Sequence, residues 1–327
     1  MNKWKGLRMN HRQVYDLIKK SQKILIATHV NPDFDALCSE LLMAEYLKLQ
    51  KKTFTIVHEK PLASMYHVLR GHQQIKILPK SLVDYDLAII LDCGDMGRIG
   101  EVQKVFPKGK SILNIDHHVT NVQFGRVNLV DPSASSTAEV IFEMFKAWKV
   151  KLTKKMAEYF YVGILTDTGS FRYQNTTART HQIVSELLKF GISPALFYRM
   201  AYEDLDAEGF KLLLKAVNQA EYFNKGEIVC LKLSRKSLDQ AAEQFDLKDK
   251  IFYLFRMMKK VEVIVLFSEM TSRKTRVNFR STGSANVAAV AKLFGGGGHK
   301  AASGCILDRD IKKAKQVILK EVLKKVA

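Results

Sequence analysis

The chain has 327 residues, enough for two domains with separate cores, and its 47% hydrophobic and 26% charged content is that of an ordinary globular protein. Its charge is not ordinary: 52 Lys and Arg against 33 Asp and Glu give +19, a field that gathers polyanions such as nucleotides or nucleic acid, although a Lys-rich solvated surface has the same composition. The scattered Cys38, Cys93, Cys230 and Cys305 form no Cys-x-x-Cys pair, which argues against a structural zinc site or disulfide scaffold and fits a reducing cytoplasm.

In chain order, residues 1–13 are polar and basic and lack the apolar core of a secretory signal. No run of about eighteen apolar residues follows, so no membrane helix is expected and the localisation is read as cytoplasmic. Residues 23–28 form an apolar run of buried-strand type, followed by a helical pattern over 36–48 and further strands at 54–57, 87–91 and 111–115. Continuous apolar strands separated by amphipathic helices predict an α/β fold with a mainly parallel sheet flanked by helices. Helical patterns dominate residues 136–223. A new mixed pattern then begins: strands at 228–233, 261–267 and 275–279, a helix at 247–258, and a basic last helix at 311–326. This places a first domain at 1–205, a helical linker at 206–225 and a smaller C-terminal α/β domain at 226–327.

Four clusters carry metal-binding side chains. Residues 28–35 supply His29, Asp33 and Asp35; Asp92 and Asp95 follow the 87–91 strand; Asp116, His117 and His118 follow 111–115; Asp167 ends an apolar helix near Gly169. In open α/β sheets ligands bind beyond the carboxyl ends of the strands, near a switch in strand order, and His29, Asp92 and Asp116 all fall at strand ends. Mixed carboxylates and imidazoles suit Mn²⁺ better than a thiolate zinc site would, with Mg²⁺ as the second choice. Asp33 and Asp35, two residues apart, can face different ions, Asp92 can bridge both with its two oxygens, and His117 and Asp167 complete the set. Two ions roughly 3.5–4 Å apart lower the pKa of a shared water and stabilise charge on an attacked phosphate. Singly, Asp92, Asp95 or Asp167 is as easily read as a cap or turn residue, so the constellation carries the reading. Asp116 is expected to accept a hydrogen bond from a histidine ring, leaving His118 to touch the phosphate or protonate the leaving oxygen.

In the C-terminal domain, Gly295, Gly296, Gly297 and Gly298 precede His299, a run whose backbone N–H groups can turn toward an anion. Arg280 and Ser281 lie just upstream, and Arg280 can make bidentate contacts to phosphate; Arg276 reads more simply as a surface arginine.

The set His-x-Asn-Pro-Asp-x-Asp from His29, Leu-Asp-x-Gly-Asp from Leu91, Asp-His-His from Asp116, Thr-Asp-Thr-Gly from Thr166 and Gly-Gly-Gly-Gly-His-x-x-Ala-x-Gly from Gly295 resembles the DHH/DHHA1 phosphoesterases, in particular their NrnA-like nanoRNase branch. The resemblance spans residue 23 to near the C-terminus. It implies a DHH domain and a DHHA1 domain that closes over the cleft, with hydrolysis of short oligoribonucleotides to nucleoside monophosphates and of pAp to AMP. It also implies Mn²⁺ as cofactor, with His29, Asp33 and Asp92 on one ion and Asp35, Asp92, His117 and Asp167 on the other. Substrate would be bound by the glycine loop (Gly296, Gly297, Gly298), His299, Arg280 and Ser281. A homodimer is implied by analogy alone, and no membrane partner is expected. Phe34 and Cys38 stand where many relatives carry glycine, and Phe34 either packs into the core or stacks on a base. The alternatives are a phosphodiesterase for cyclic di-AMP or its linear product pApA and, from another class, a nucleic-acid-binding module without catalysis. A RecJ-type exonuclease would need an added OB-fold, and a family II pyrophosphatase would lack the Gly-Gly-Gly-Gly-His loop.

Overall fold

The computed structural model describes residues 3–78, 84–106, 111–203, 205–241, 245–282 and 285–326. The chain divides into two compact units, one of Met1–Leu62 with Tyr66–Glu203 and one of Asp204–Ala327 with the short segment Ala63–Met65. Among the described residues no helix is long and apolar enough to cross a membrane.

In the first unit, α1 (Lys3–Lys20) precedes β1 (Lys23–Ala27), α2 (Phe34–Leu49), β2 (Thr53–His58), β3 (Ile75–Ile77), β4 (Leu87–Leu91), β5 (Ser111–Asp116) and β6 (Val127–Val130). Four helices follow: α3 (Thr137–Ala147), α4 (Lys154–Asp167), α5 (Ala178–Leu188) and α6 (Pro194–Tyr202). The strands form one sheet in the order β3-β2-β1-β4-β5-β6, with every neighbouring pair parallel. The chain first winds outward through β2 and β3, then returns to the centre and winds the other way through β5 and β6. The switch lies between β1 and β4, where the loops after the two strands part and leave room for a ligand.

The expected strands are all present. Ile24, Leu25, Ile26 and Leu87–Leu91 are fully buried, as both-faces-covered parallel strands should be. Three elements go beyond the sequence reading. The edge strands β3 and β6 are too short for an apolar run to reveal them, each being interrupted by one polar residue, and α1 lies in a basic segment where charge obscures the pattern. Helix α2 is buried on nearly every side, from Phe34 to Leu47, and packs against α3 and α4.

The second unit contains α7 (Ala207–Val217), β7 (Glu221–Phe223), β8 (Ile228–Leu233), α8 (Arg235–Ala241), α9 (Leu247–Arg256), β9 (Val263–Thr271), β10 (Lys274–Ser281), α10 (Val287–Lys292), β11 (Gly297–His299), β12 (Ala302–Leu307) and α11 (Ile311–Val326). Its sheet runs β11-β12-β10-β9-β8-β7, with β8 and β9 parallel and the other pairs antiparallel. Alternation sorts the side chains to two faces. Cys230, Val265, Phe267, Val277 and Phe279 pack with α10 and α11, whereas Val229, Leu231, Ile264 and Leu266 pack with α7, α8 and α9.

Candidate metal centre

The site assembles where β1 and β4 end. The Thr28 hydroxyl donates to the Leu91 carbonyl at 2.8 Å, tying the two strand ends together. His29 follows, and its Nε2 lies 3.7 Å from Asp92 Oδ2. Asp33 caps α2, with Oδ1 accepting from the Ala36 amide at 3.0 Å. One turn-start later Asp35 is buried, and its two oxygens accept from the Thr137 amide at 2.7 Å and the Ala138 amide at 3.0 Å. Those amides open α3, whose positive end favours an anion. Gly163 of α4 makes room for this arrangement, because a Cβ there would lie 2.7 Å from Asp35 Oδ1 and 2.8 Å from Ala138 Cβ.

Asp92 occupies the left-handed region at φ 52, an uncommon conformation for a side-chain-bearing residue and one that Asp tolerates better than most. The turn aims its oxygens in two directions. Oδ2 faces His29, while Oδ1 accepts from the Thr137 hydroxyl at 2.8 Å and lies 3.7 Å from both His117 Nε2 and His118 Nδ1. His117 Nε2 is also 3.5 Å from Asp167 Oδ2, and its Nδ1 faces the Ala134 carbonyl at 3.4 Å. With Nδ1 toward a carbonyl, the Nε2 lone pair is the one turned to the carboxylates.

Three groups of side chains thus bring ligand atoms within 4.8 Å of one another: His29, Asp33 and Asp92; Asp35, His117 and Asp167; and Asp92, His117 and His118. The first two groups, with Asp92 between them, hold all six sequence-predicted metal residues. The imidazole–carboxylate separations of 3.5–3.7 Å are too long for good hydrogen bonds but suit donors that share an ion. Crowding of negative charge points the same way. Burial first, then the charges of Asp92, Asp167 and Asp33, push the Asp35 carboxyl well above its ordinary value. Burial likewise pushes Asp167 up to about 7, helped by Asp33 and Asp92 and opposed by His117. The 27% exposure of the Asp167 side chain tempers that desolvation. Burial alone would raise Asp92, yet His29, His118 and His117 around it hold its carboxyl well below the usual range. Cations placed among these four carboxylates would relieve the repulsion, so the donor set fits divalent metal.

Asp116 does not join the metal groups. It is completely buried; Oδ1 meets His118 Nδ1 at 2.7 Å and Oδ2 accepts from Asn121 Nδ2 at 2.6 Å. Burial disfavours a charged His118 ring, but the bond to Asp116 and the charges of Asp92 and Asp116 raise it to about 9. Asn121 also donates to Asn114 Oδ1 at 2.7 Å, and Asn114 donates in turn to the Ile90 and Cys93 carbonyls. Asp95 caps the helical turns of Met96–Val105 by accepting from the Arg98 amide at 3.2 Å.

Residues 23–164 match the family model described as "DHH family, N-terminal domain", and residues 228–327 match "DHHA1 domain". A protein of Thermus thermophilus named bifunctional oligoribonuclease and PAP phosphatase NrnA is 30% identical over 98% of this chain and 94% of its own length. The chain belongs to the DHH family. A Streptococcus mutans relative named probable bifunctional oligoribonuclease and PAP phosphatase NrnA is 32% identical over 88% of this chain and 90% of its own. The fold is shared with an exopolyphosphatase-related protein from Bacteroides fragilis, at a TM-score of 0.87, 23% identity and coverage of 97% and 96%. DHH proteins are metal-dependent phosphoesterases, and this chain is accordingly a hydrolase of phosphoester bonds.

In the DHHA1 domain the glycine run is more ordered than a loop. Gly297–His299 is strand β11, paired antiparallel with β12. A Cβ on Gly296 would lie 2.2 Å from the Gly304 carbonyl oxygen, and one on Gly298 2.6 Å from that of Ala302, whereas Gly297 faces open space. Two of the glycines therefore serve the close hairpin itself. The His299 backbone lies opposite Ala302, and Ala302 opposite Arg280, in one cross-strand row; the His299 side chain is outside the described part of the structure. The Arg280 guanidinium lies 4.7 Å from the Phe252 ring centre and donates to the Phe279 carbonyl at 3.1 Å. Ser281 is buried, its amide donating to the Ala301 carbonyl at 2.8 Å. Phe34 is also buried, edge-on to Tyr66 with ring centres 5.0 Å apart, so it packs and does not stand open for stacking. Thr137, Asn114, Asn121 and Gly163 escaped the sequence reading: none is an ionisable group, and only contact in space reveals their part.

Proposed function

We propose that the chain hydrolyses short oligoribonucleotides to nucleoside monophosphates and removes the 3′-phosphate of pAp to leave AMP. The observation that carries this reading is the two-sided Asp92, with His29 and Asp33 on one side and His117 with the Asp35–Asp167 group on the other. The names of the Thermus thermophilus and Streptococcus mutans relatives support the substrate class.

His29, Asp33 and Asp92 would hold one ion and Asp35, Asp92, His117 and Asp167 the other, with Mn²⁺ favoured over Mg²⁺ by the imidazole share of the set. Bound there, two such ions supply Lewis acidity at the phosphate and a nucleophilic water at neutral pH. The protein's own groups do the rest. His118, cationic at neutral pH and held through Nδ1 by Asp116, protonates the departing ribose oxygen from Nε2. Asp116 acts through His118, and Asn121 steadies Asp116. In the second unit, whose core takes in the expected linker helix, Arg280 and Ser281 with the hairpin of Gly296, Gly297, Gly298 and His299 are assigned to phosphate binding. A field of +19 speeds capture of these anions, and the cytoplasm, where short RNA accumulates, is the proposed place of action.

The test is turnover of an end-labelled RNA dinucleotide, a five-mer, pAp and cyclic di-AMP, each with Mn²⁺ and with EDTA, in the wild type and in Asp92→Ala. The expected outcome is Mn²⁺-dependent cleavage of the short RNAs and pAp, abolished by EDTA and by the substitution. RNA bound but left intact by the wild type in Mn²⁺ would overturn the reading in favour of a binding module, and turnover of cyclic di-AMP alone would reassign the substrate.

A further inference from the structure

Strand β10 presents a second set of groups. Val277 and Phe279 point into the core beneath α10 and α11, so Arg276, Asn278 and Arg280 lie on the opposite face of the sheet. The residues opposite them on β12 are Ile306, Gly304 and Ala302, and Gly304 is itself opposite Gly297. Small residues therefore flank Asn278 and Arg280 on the hairpin side, while Ile306 stands beside Arg276, and a Cβ on Gly304 would already come within 3.5 Å of Asn278 Nδ2. On this face α7, α8 and α9 pack over β8 and β9, and Phe252 of α9 carries the Arg280 guanidinium at the border. Arg276 is exposed. Asn278 Oδ1 is buried from water and lacks a hydrogen-bond donor.

We propose that Arg276, Asn278 and Arg280 form a track for single-stranded RNA, in which Arg280 holds a phosphate, Arg276 a phosphate farther along the strand, and Asn278 a ribose hydroxyl between them. Four residues of strand separate the arginines by about 13 Å, more than the two phosphates of a single nucleotide span. The track thus favours an oligomer over pAp, which reaches one end only. The Asn278 oxygen, shielded and without a donor in the free protein, meets one when this half-buried side chain turns outward, and the 2′-hydroxyl is the donor that RNA has and DNA lacks. Guanidinium forks provide the bidentate contact that phosphate accepts. This inference rests on the proposed reading that Arg280 binds a substrate phosphate.

The experiment compares wild type, Arg276→Ala, Asn278→Ala and Arg280→Ala on an RNA five-mer, the matching DNA five-mer and pAp, with kcat and KM measured separately. Loss of one charged contact should raise the Arg276→Ala KM for the RNA five-mer about tenfold, with kcat unchanged and the pAp KM unmoved. The slope of log(1/KM) for the five-mer against log salt should become shallower by about 0.7. Asn278→Ala should bring the RNA and DNA five-mers closer together. Arg276→Ala moving both KM values together, or neither, overturns the track, and an unaltered RNA–DNA ratio removes Asn278 from it. Arg280→Ala should raise KM for RNA and pAp alike; if it alters neither, the assignment of Arg280 has failed, a result separable from that of Arg276.

Discussion

Asn121 illustrates how a neutral side chain can govern a charged one. Its amide satisfies one oxygen of the buried Asp116 while His118 takes the other, so the pair is fixed without a second charge. Asn121→Ala leaves that oxygen without its donor and lets the ring turn. We expect kcat to fall roughly 10–100-fold, with KM and Mn²⁺ affinity, measured by calorimetry, little changed. Equal losses on a substrate with a p-nitrophenolate leaving group, which needs no proton, would count against His118 as the acid. Asp167 makes a second prediction. Its folded-state carboxyl titrates near 7, above the ordinary carboxylate value, so the neutral form contributes stability that is complete below the ordinary value and is lost as pH rises through about 7. A bound cation requires the ionised form. Mn²⁺ binding should therefore release more protons at pH 6 than at pH 8, Asp35 adding to Asp167 in this, and its affinity should climb as pH rises through about 7. Calorimetry in buffers of different ionisation heat reads this directly; proton release that is the same at both pH values would contradict it.

Two elements depend on glycines that admit a neighbour. In α4, Gly163 lets the helix pass Asp35 and the start of α3. Gly163→Ala inserts a methyl where Asp35 Oδ1 and Ala138 already sit, and overpacking of this kind costs about 1–3 kcal/mol. Thermal unfolding should show that loss together with weakened Mn²⁺ binding, because relief of the clash must displace a ligand or a helix; an unaltered Mn²⁺ affinity would mean that the helix moves and the ligand does not. In the second unit, Gly296 has backbone and the Cys305 side chain where a Cβ would be, so the hairpin of β11 and β12 tolerates no larger residue there. Gly297 faces open space, and its replacement by Ala should spare the fold while testing whether the hairpin is approached by substrate. Helix α2 places its candidate ligands by a different means: its buried surface wedges it between the sheet and α3 and α4, which fixes Asp33 and Asp35 at its start.

Across the whole molecule, metal and charge make separable demands. A cation bound only by the folded state adds about 2.7 kcal/mol of stability at one hundred times its Kd. Mn²⁺ should accordingly raise the wild-type Tm, EDTA should reverse the rise, and Asp92→Ala, which removes the residue proposed to serve both ions, should abolish it. A Tm rise that persists in Asp92→Ala would place the stabilising ion elsewhere. The net charge acts at longer range and is screened by salt, so turnover of a dinucleotide should respond less to ionic strength than that of a five-mer.

Much of this was legible in the chain itself. The apolar runs that became β1, β4 and β5 announce a parallel sheet because strands covered on both faces have no polar side to show, and their ends locate His29, Asp92 and Asp116. The ligand types state the chemistry, since imidazole and carboxylate in one site favour a divalent ion whatever the geometry. The short edge strands β3 and β6, the hairpin hidden in the glycine run and the second face of β10 were not legible, because each depends on what lies alongside and not on what precedes it in the chain. Only the tertiary structure decided that Asp92 turns into the left-handed region and looks both ways, that Asp35 sits on the amides of α3, and that Asn121 holds Asp116. The reason is physical: sequence specifies which donors exist, whereas the winding of the sheet outward from β1 and β4 sets which of them come close enough to share an ion.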